Sequence, residues 1–490
     1  MAASSETKQP LSVLFVTSEI YPLIKTGGLA DVSASLPEAL QQQGVDVRLL
    51  LPGYPQVLDG LKTKWVSTTG VFEFGEVRLL TAVMPDSGVP VIVVDYPPFF
   101  QRDGGPYQDR FGQDWSDNAL RFGLLSRVGA ILGSSGSPLA WRPDIVHCND
   151  WQSGLTPAYL HFMQGRKAAT LMTIHNLAYQ GIFPPQLAAQ LGLPPESFSM
   201  HGVEYCGNLS FMKAGLFYAD HIATVSPTYA EEIQTDALGF GMQGLLAERG
   251  KHLTGIINGI DTAHWNPATD VHLAAKYNAK KLAAKAANKS ALQARLGLAP
   301  EPDTPLFAVI SRITHQKGLD LLLDIAPALL REGVQIALLG SGDATLEHAF
   351  RNLARLHPGQ VSATIGFDEG LSHLMEAGAD IFLMPSRFEP CGLNQMYSQC
   401  YGTPPVVHAT GGLADTVVDA TPATLKDGSA SGFVFRRSKA PDFLVAVKRA
   451  LAVYRDKKAW RTLQKNGMGR DFSWERSAQQ YIELYRSLQA

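Results

Sequence analysis

Cysteine is scarce: four in 490 residues (Cys148, Cys206, Cys391, Cys400), with no CxxC pair. That scatter excludes a disulfide framework and a zinc-ribbon site and suits reduced thiols. An excess of one charge is missing too. The 42 basic residues stand against 45 acidic ones, a formal net charge of −3, so neither nucleic acid nor an anionic membrane surface is an expected partner. No apolar run approaches the length of a membrane span. The run Leu11–Val16, after the polar MAASSETKQP start, is too short for a signal-peptide core. Together these absences are read as a soluble protein of the cytoplasm. Two nucleotide signatures are also lacking. No GxGxxG follows the first strand and no GxxxxGK[ST] occurs, which disfavours a dinucleotide oxidoreductase and a P-loop NTPase. No DxD stands at a strand end, so nothing calls for a divalent metal.

The chain does have enough apolar residues (45%) for sizeable cores, and a length that predicts two or three domains. LSVLFVTSEI reads as a buried parallel strand. Leu29, Val32, Leu36 and Leu40 then keep helical spacing up to Gly44, and VDVRLLLP is the next strand, completing a βαβ unit. VPVIVVDYP, PDIVHCND, ATLMTIHN and HIATVSP continue as strands. The pattern restarts after a break near residues 250–262. TGIINGID reads as a strand and turn, and 271–296 as a solvated Ala/Lys/Leu-rich helix. LFAVISRITHQKG, VQIALLGSG, ADIFLMPS, TPPVVHATGG and SGFVFR are strands separated by helices. SWERSAQQYIELYRSL is a terminal amphipathic helix. The class is α/β in two strand–helix halves.

Six letters are written twice: TGGLAD at Thr26–Asp31 and again at Thr410–Asp415. Each copy follows a strand and opens a helix. A double glycine there lets backbone N–H groups approach an anion at the helix N-terminus. The plainer reading is a tight strand–helix connection, and for one copy alone it is the better one. The repeat and the adjacent Lys25 favour a phosphate-bearing ligand. SRITHQKGLD puts Arg312 and Lys317 on one strand-end loop, able to converge on a diphosphate or simply to form an exposed basic loop. In SRFEPCGLNQ, Glu389 follows the strand Ile381–Met384. It either faces a ligand or serves as a first-turn carboxylate for the helix after it. Asp150, His175 and Asn176 also stand at strand ends.

The motifs KTGGLADV, GPYQDRFGQDWSDNALRF, INGIDTAHWNP, SRITHQKGLD, SRFEPCGLNQMYSQCYGTPPVVHATGGLADTVVD and FSWERSAQQY run nearly the whole chain in one order. They resemble the bacterial glycogen (starch) synthases, glycosyltransferase family 5. The resemblance implies a GT-B fold: two Rossmann-like domains with parallel sheets facing across a deep cleft. Residues 1–253 would be the acceptor-side domain, with helix 471–490 packing back on it, and 254–470 the sugar-nucleotide side. It implies retaining, metal-independent transfer of glucose from ADP-glucose to the non-reducing end of an α-1,4-glucan such as glycogen, with no cofactor. By resemblance Lys25, Gly27 and Gly28 belong to the sugar-nucleotide site and Asp31 supports their loop. Asp150, His175 and Asn176 line the acceptor and glucose side, and Asn258 lies in the ING turn. Arg312 and Lys317 hold the diphosphate. Glu389, Cys391, Gly392 and Leu393 hold the glucose, and Thr410, Gly411 and Gly412 contact phosphate. Two positions depart from the pattern: Asn149 stands where many members have His, and Phe367 where an adenine-stacking Tyr is common. Rival readings are a sucrose-forming or UDP-sugar transferase of the same fold and a non-catalytic glucan-binding protein. The latter would have lost the charged residues that are present here. A phosphorylase would need a pyridoxal-bearing lysine motif, which is not seen.

Overall fold

The computed structural model describes residues 10–71 and 74–489; the reading of the polar start at 1–9 lies outside them. Two compact units divide the chain. One holds the chain up to Val225, Ala230–Gly259 and everything from Trp474; the other holds Ser226–Tyr229 and Ile260–Ser473.

The strands of the first unit are β1 (Ser12–Val16), β2 (Asp46–Pro52), β3 (Lys64–Val71), β4 (Gly75–Val83), β5 (Pro90–Asp95), β6 (Ile145–Asn149), β7 (Ala169–Ile174), β8 (Ile182–Phe183), β9 (Glu204–Tyr205), β10 (Asn208–Ser210), β11 (His221–Thr224) and β12 (Leu253–Gly255). Nine of them form one sheet in the order β12-β11-β7-β6-β1-β2-β5-β4-β3, and β8-β10-β9 form a small one. The pairs from β12 through β5 are parallel. β3 and β4 are an antiparallel hairpin on the edge, so this sheet is mixed rather than parallel throughout. The central strands are apolar runs buried on both faces, as β1 is along Val13–Val16, the pattern that parallel pairing with helices on each side demands.

The helix Gly28–Gln42 buries Leu29, Val32, Leu36 and Leu40, the stripe expected from their spacing, and Gly44 follows it at φ 86°. The helix Trp474–Ser487 belongs to this first unit. Tyr485 Oη is 2.7 Å from His147 Nδ1, Ser477 Oγ donates to Ile257 O at 2.6 Å, and Gln43 Nε2 donates to Glu475 O at 2.8 Å. The divide falls after Gly259, later than residue 253, because β12 pairs with β11 and so completes the first sheet.

The second unit has β13 (Leu306–Ile310), β14 (Gln335–Gly340), β15 (Val361–Ile365), β16 (Ile381–Met384), β17 (Pro405–His408) and β18 (Phe433–Phe435), ordered β15-β14-β13-β16-β17-β18 and parallel throughout. Its helix Leu319–Arg331 buries Leu322, Ile325, Ala326 and Leu329 at spacings of three and four, which seats one face on the sheet. The expected helix 271–296 is α-helical only over Lys285–Leu296, preceded by a single 3-10 turn at Leu282–Ala284. Upstream, tertiary contacts override propensity. Asn288 bonds Ala275 through both N–H and C=O at 3.1 and 2.7 Å, Asn278 Oδ1 accepts from Lys280 N and Lys281 N, and the buried Tyr277 hydroxyl donates to Tyr401 O at 2.7 Å. Side-chain amides competing for backbone groups favour turns over helix.

Candidate functional site

Open α/β sheets bind ligands beyond the carboxyl ends of their strands, where the strand order reverses. In the first unit that place lies between β1 and β6; in the second it lies between β13 and β16. Most residues singled out in the sequence fall at the ends of these strands or of their neighbours; Asn258 and Phe367 follow the edge strands β12 and β15.

Beyond β1 in the first unit, Glu19 is 3% exposed. Its carboxylate accepts from Thr26 N at 2.5 Å and Thr26 Oγ1 at 2.6 Å, from Gly27 N at 3.3 Å, and from the Tyr107 hydroxyl. It therefore fixes the Thr26-Gly27-Gly28 turn. Lys25 Nζ pairs with Asp31 Oδ1 at 2.7 Å, both partly exposed. A Cβ on Gly27 or Gly28 would meet no atom within 4 Å, so nothing in this unit requires glycine there, and the backbone is open to an approaching group.

Beyond β6, Asp150 sits at φ 53°, and its Oδ1 accepts from His175 N at 2.7 Å and from Asn176 N at 3.4 Å. Asn149 Nδ2 donates to Val16 O at 3.0 Å, which leaves Asn149 Oδ1 to accept from His175 Nε2 at 2.9 Å. That bond puts the His175 proton on Nε2 and leaves a lone pair on Nδ1. The departure at Asn149 thus has a job: it sets the imidazole tautomer. Burial holds His175 down at about 3, so it is neutral at any working pH. Burial pushes the Asp150 carboxyl up to about 7, against the pull of the His175 and Asn176 N–H groups and with some repulsion from Glu19.

These shifts have opposite signs for stability. His175 contributes stability above about 6.5, lost as pH falls toward about 3. Asp150 is ionised above 3.8 when unfolded but resists ionisation up to about 7 when folded, so its contribution falls as pH rises through that window. Thermal melts should show the parent losing stability relative to Asp150→Asn from pH 3.8 to about 7; a difference flat with pH would contradict this assignment.

The loop after β13 in the second unit carries Arg312 and Lys317. Gly318 ends it at φ 65°, where a Cβ would lie 2.1 Å from Pro385 O. Lys317 Nζ donates to Glu389 Oε2 at 2.6 Å, with side chains 15% and 8% exposed, and Ser386 Oγ donates to the same oxygen at 2.9 Å. Arg387 clamps the loop from behind. It grips Asp320 bidentately at 2.7 and 2.5 Å and donates to His315 O at 2.7 Å. Arg312 is exposed. Cys391 is buried, Gly392 has φ 71°, and Leu393 caps the helix Asn394–Cys400.

The second TGGLAD is built differently from the first. Gly411 has φ 42° and a Cβ there would lie 2.0 Å from Glu389 O; one on Gly412 would lie 2.1 Å from Cys391 O. Gly412 N donates to Glu389 O and Pro390 O at 3.2 and 3.1 Å. Here the glycines are required by packing against the Glu389–Cys391 backbone, the plainer of the two readings. Asp415 accepts from Ser226 Oγ, Thr228 N and Thr228 Oγ1 at 2.6, 3.1 and 2.6 Å. Thr410 is buried. Phe367, 83% exposed, stands beyond β15, and Asn258 is buried with its Oδ1 unbonded.

Sequence reasoning missed Glu19, Tyr107, Ser386, Arg387 and Asp320. Glu19 had a signal, the polar Thr17-Ser18-Glu19 directly after a buried apolar run. The Arg387–Asp320 clamp had none, since its partners are remote in sequence.

Residues 12–248 match the family described as starch synthase catalytic domain, and 294–466 match glycosyl transferases group 1. A glycogen synthase of Nitrosomonas eutropha is 59% identical over 99% of this chain and 98% of its own. One of Nitrosospira multiformis is 58% identical over 98% and 97%. Among solved structures, the catalytic domain of starch synthase IV from Arabidopsis thaliana, bound to ADP and acarbose, superposes with a TM-score of 0.87 at 33% identity, covering 98% of this chain and 99% of that one. A sucrose-phosphate synthase from Thermosynechococcus elongatus shares the fold at a TM-score of 0.60 and 19% identity, covering 98% and 99%.

Proposed function

The chain belongs to the glycogen and starch synthase family and has its GT-B fold, and from that premise we propose that it transfers glucose from ADP-glucose to the non-reducing end of an α-1,4-glucan, with retention, releasing ADP. The observation that carries this reading is the Lys317–Glu389 pair at the β13/β16 switch point, beside Arg312 on the same strand-end loop.

Breaking the bond between glucose C1 and the β-phosphate leaves charge on the departing diphosphate. Arg312 and Lys317 are the cations to meet it, and preorganised charge of this kind needs no rearrangement at the moment of reaction. In the first unit the Gly27-Gly28 turn, its Gly27 N–H held by Glu19, and Lys25 are assigned to a phosphate-bearing ligand; in the second unit the diphosphate is also assigned Thr410, Gly411 and Gly412. In the last two the glycine serves packing, and the Gly412 N–H is already given to Glu389 O and Pro390 O. Glu389 holds Lys317 in place, and with Cys391, Gly392 and Leu393 it borders the transferred sugar. Neutral His175, its tautomer set by Asn149, accepts through Nδ1 or positions a sugar hydroxyl. Asp150 and Asn176 hold that strand end, Asn258 offers its unbonded Oδ1 as an acceptor, and Phe367 presents a ring face to adenine. Double displacement would need a carboxylate nucleophile beneath C1, and none is assigned. Attack from the leaving-group face, with the departing phosphate taking the acceptor's proton, fits these residues better. No cofactor takes part. The four cysteines form no disulfide, which suits the cytoplasm, and no helix among the described residues is long and apolar enough to cross a membrane.

Incorporation of labelled glucose from ADP-glucose into glycogen, with UDP-glucose run alongside, tests the reading. Strong preference for ADP-glucose is expected; transfer from UDP-glucose alone would move the chain to another member of the fold. Because the diphosphate is met by side-chain cations, EDTA should leave turnover intact. Strict dependence on an added divalent ion would overturn the leaving-group account.

A further inference from the structure

Away from Lys317 and Glu389, the second unit carries a cluster that the transfer chemistry does not use. His264, Glu369 and His373 each offer a ligand atom, all within 4.8 Å of one another. Glu369 opens the helix Glu369–Gly378 and His373 lies one turn on, a spacing of four that puts both on one helical face. His264 comes from the loop after Ile260, its Nε2 3.3 Å from Glu369 Oε1.

His373 is the informative member. It is 0% exposed, and its Nδ1 lies 2.7 Å from Asp270 Oδ2. Asp270 also accepts from the Tyr401 hydroxyl at 2.5 Å and from His272 N at 2.8 Å, so it is the acceptor and His373 Nδ1 carries the proton. Nε2 is therefore left as a bare lone pair, and it is buried with no hydrogen-bond partner. A buried polar atom without a partner is costly to the fold, so an unfilled role is expected there. Trp265 stacks on the His373 ring at 3.9 Å and on Tyr397 at 3.8 Å, which fixes the plane of the imidazole. A histidine whose second nitrogen donates to a carboxylate is the usual form of a metal-ligating histidine.

We propose that His264, Glu369 and His373 bind a divalent transition cation of the zinc class, with Asp270 orienting His373. Two imidazoles and one carboxylate suit zinc and its neighbours rather than magnesium or calcium. Ligands on one tetrahedral zinc lie about 3.4 Å apart. The His264–Glu369 separation already matches this, and both side chains are partly exposed (40% and 41%) and can turn to close on the fixed His373. The ion ties the 260–270 loop to the helix Glu369–Gly378. Its role is structural and independent of glucosyl transfer.

Calorimetric titration of ZnCl2 into the EDTA-stripped full chain tests this, with Co2+ substituted to read coordination from its visible spectrum. One ion per chain is expected, with a higher melting temperature in its presence and a tetrahedral cobalt spectrum. His264→Ala and Glu369→Gln should each weaken binding at least about tenfold and abolish the cobalt signal while leaving the metal-free fold and turnover unchanged. Cys206→Ser, which removes the exposed thiol, should change nothing. Absence of one-to-one binding would overturn the proposal, as would unchanged affinity in His264→Ala or binding lost only in Cys206→Ser.

Discussion

Lys317→Ala and Glu389→Ala should each lower kcat by roughly a hundred- to a thousandfold, the range seen when one preorganised group that stabilises developing charge is removed. For Lys317 the reason is the leaving diphosphate; for Glu389 it is the loss of the group that aims the ammonium. The two side chains form a nearly buried pair at 2.6 Å, and deleting one partner strands the other charge, which costs about 3–5 kcal/mol when burial is complete. Lower stability in the single variants is thus expected and is not itself a sign of catalysis. The separating experiment is the pair Lys317→Met and Lys317→Met/Glu389→Gln. The double variant leaves no unpaired charge, so its melting temperature should recover toward the parent while turnover stays low. If turnover recovered with stability, the pair would be a packing device and the assigned roles would fall.

The repeated motif supplies the second large effect, because its two copies should respond in opposite ways. An alanine at 411 or 412 drives a Cβ to 2.0 or 2.1 Å from a backbone oxygen, and at 411 it also forces an alanine to φ 42°. Backbone must move, so each variant should lose about 1–3 kcal/mol or more and melt earlier. Alanine at 27 or 28 meets nothing within 4 Å, and at 28 it improves helix propensity by up to about 1 kcal/mol. Gly27→Ala and Gly28→Ala should therefore melt at or above the parent temperature. Their kcat/KM should nonetheless fall, since the added methyl occupies the space a phosphate would need to reach the amides. Parental turnover in both would show that the first copy is only a connection.

Much of this was legible in the chain. Buried parallel strands announce themselves as apolar runs, and their ends marked Asp150, His175, Arg312 and Glu389 as candidates before any coordinates. Strand order was not legible, because it depends on which helix crosses which face, and order is what makes the ends of β13 and β16 the switch point. The 271–281 stretch reads as helix by composition, but Asn288, Asn278 and Tyr277 spend their side chains on non-helical partners. Glu19 was marked only by the polar Thr17-Ser18-Glu19 that closes the first apolar run. The doubled TGGLAD was the most visible motif and half misleading: identical letters make an open turn in one unit and a packed one in the other. Local sequence sets the turn, and the loop Glu389–Cys391 that fills the second copy lies outside it.

Calorimetric binding of ADP to the parent and to Arg312→Ala/Lys317→Ala is the most direct test of the claim that these two cations hold the diphosphate. Two charge-assisted contacts at about 1.5–3 kcal/mol each predict ADP binding weaker by at least about a hundredfold, with adenosine binding little changed. Equal affinity of parent and variant for ADP, in a variant that still folds, would contradict it.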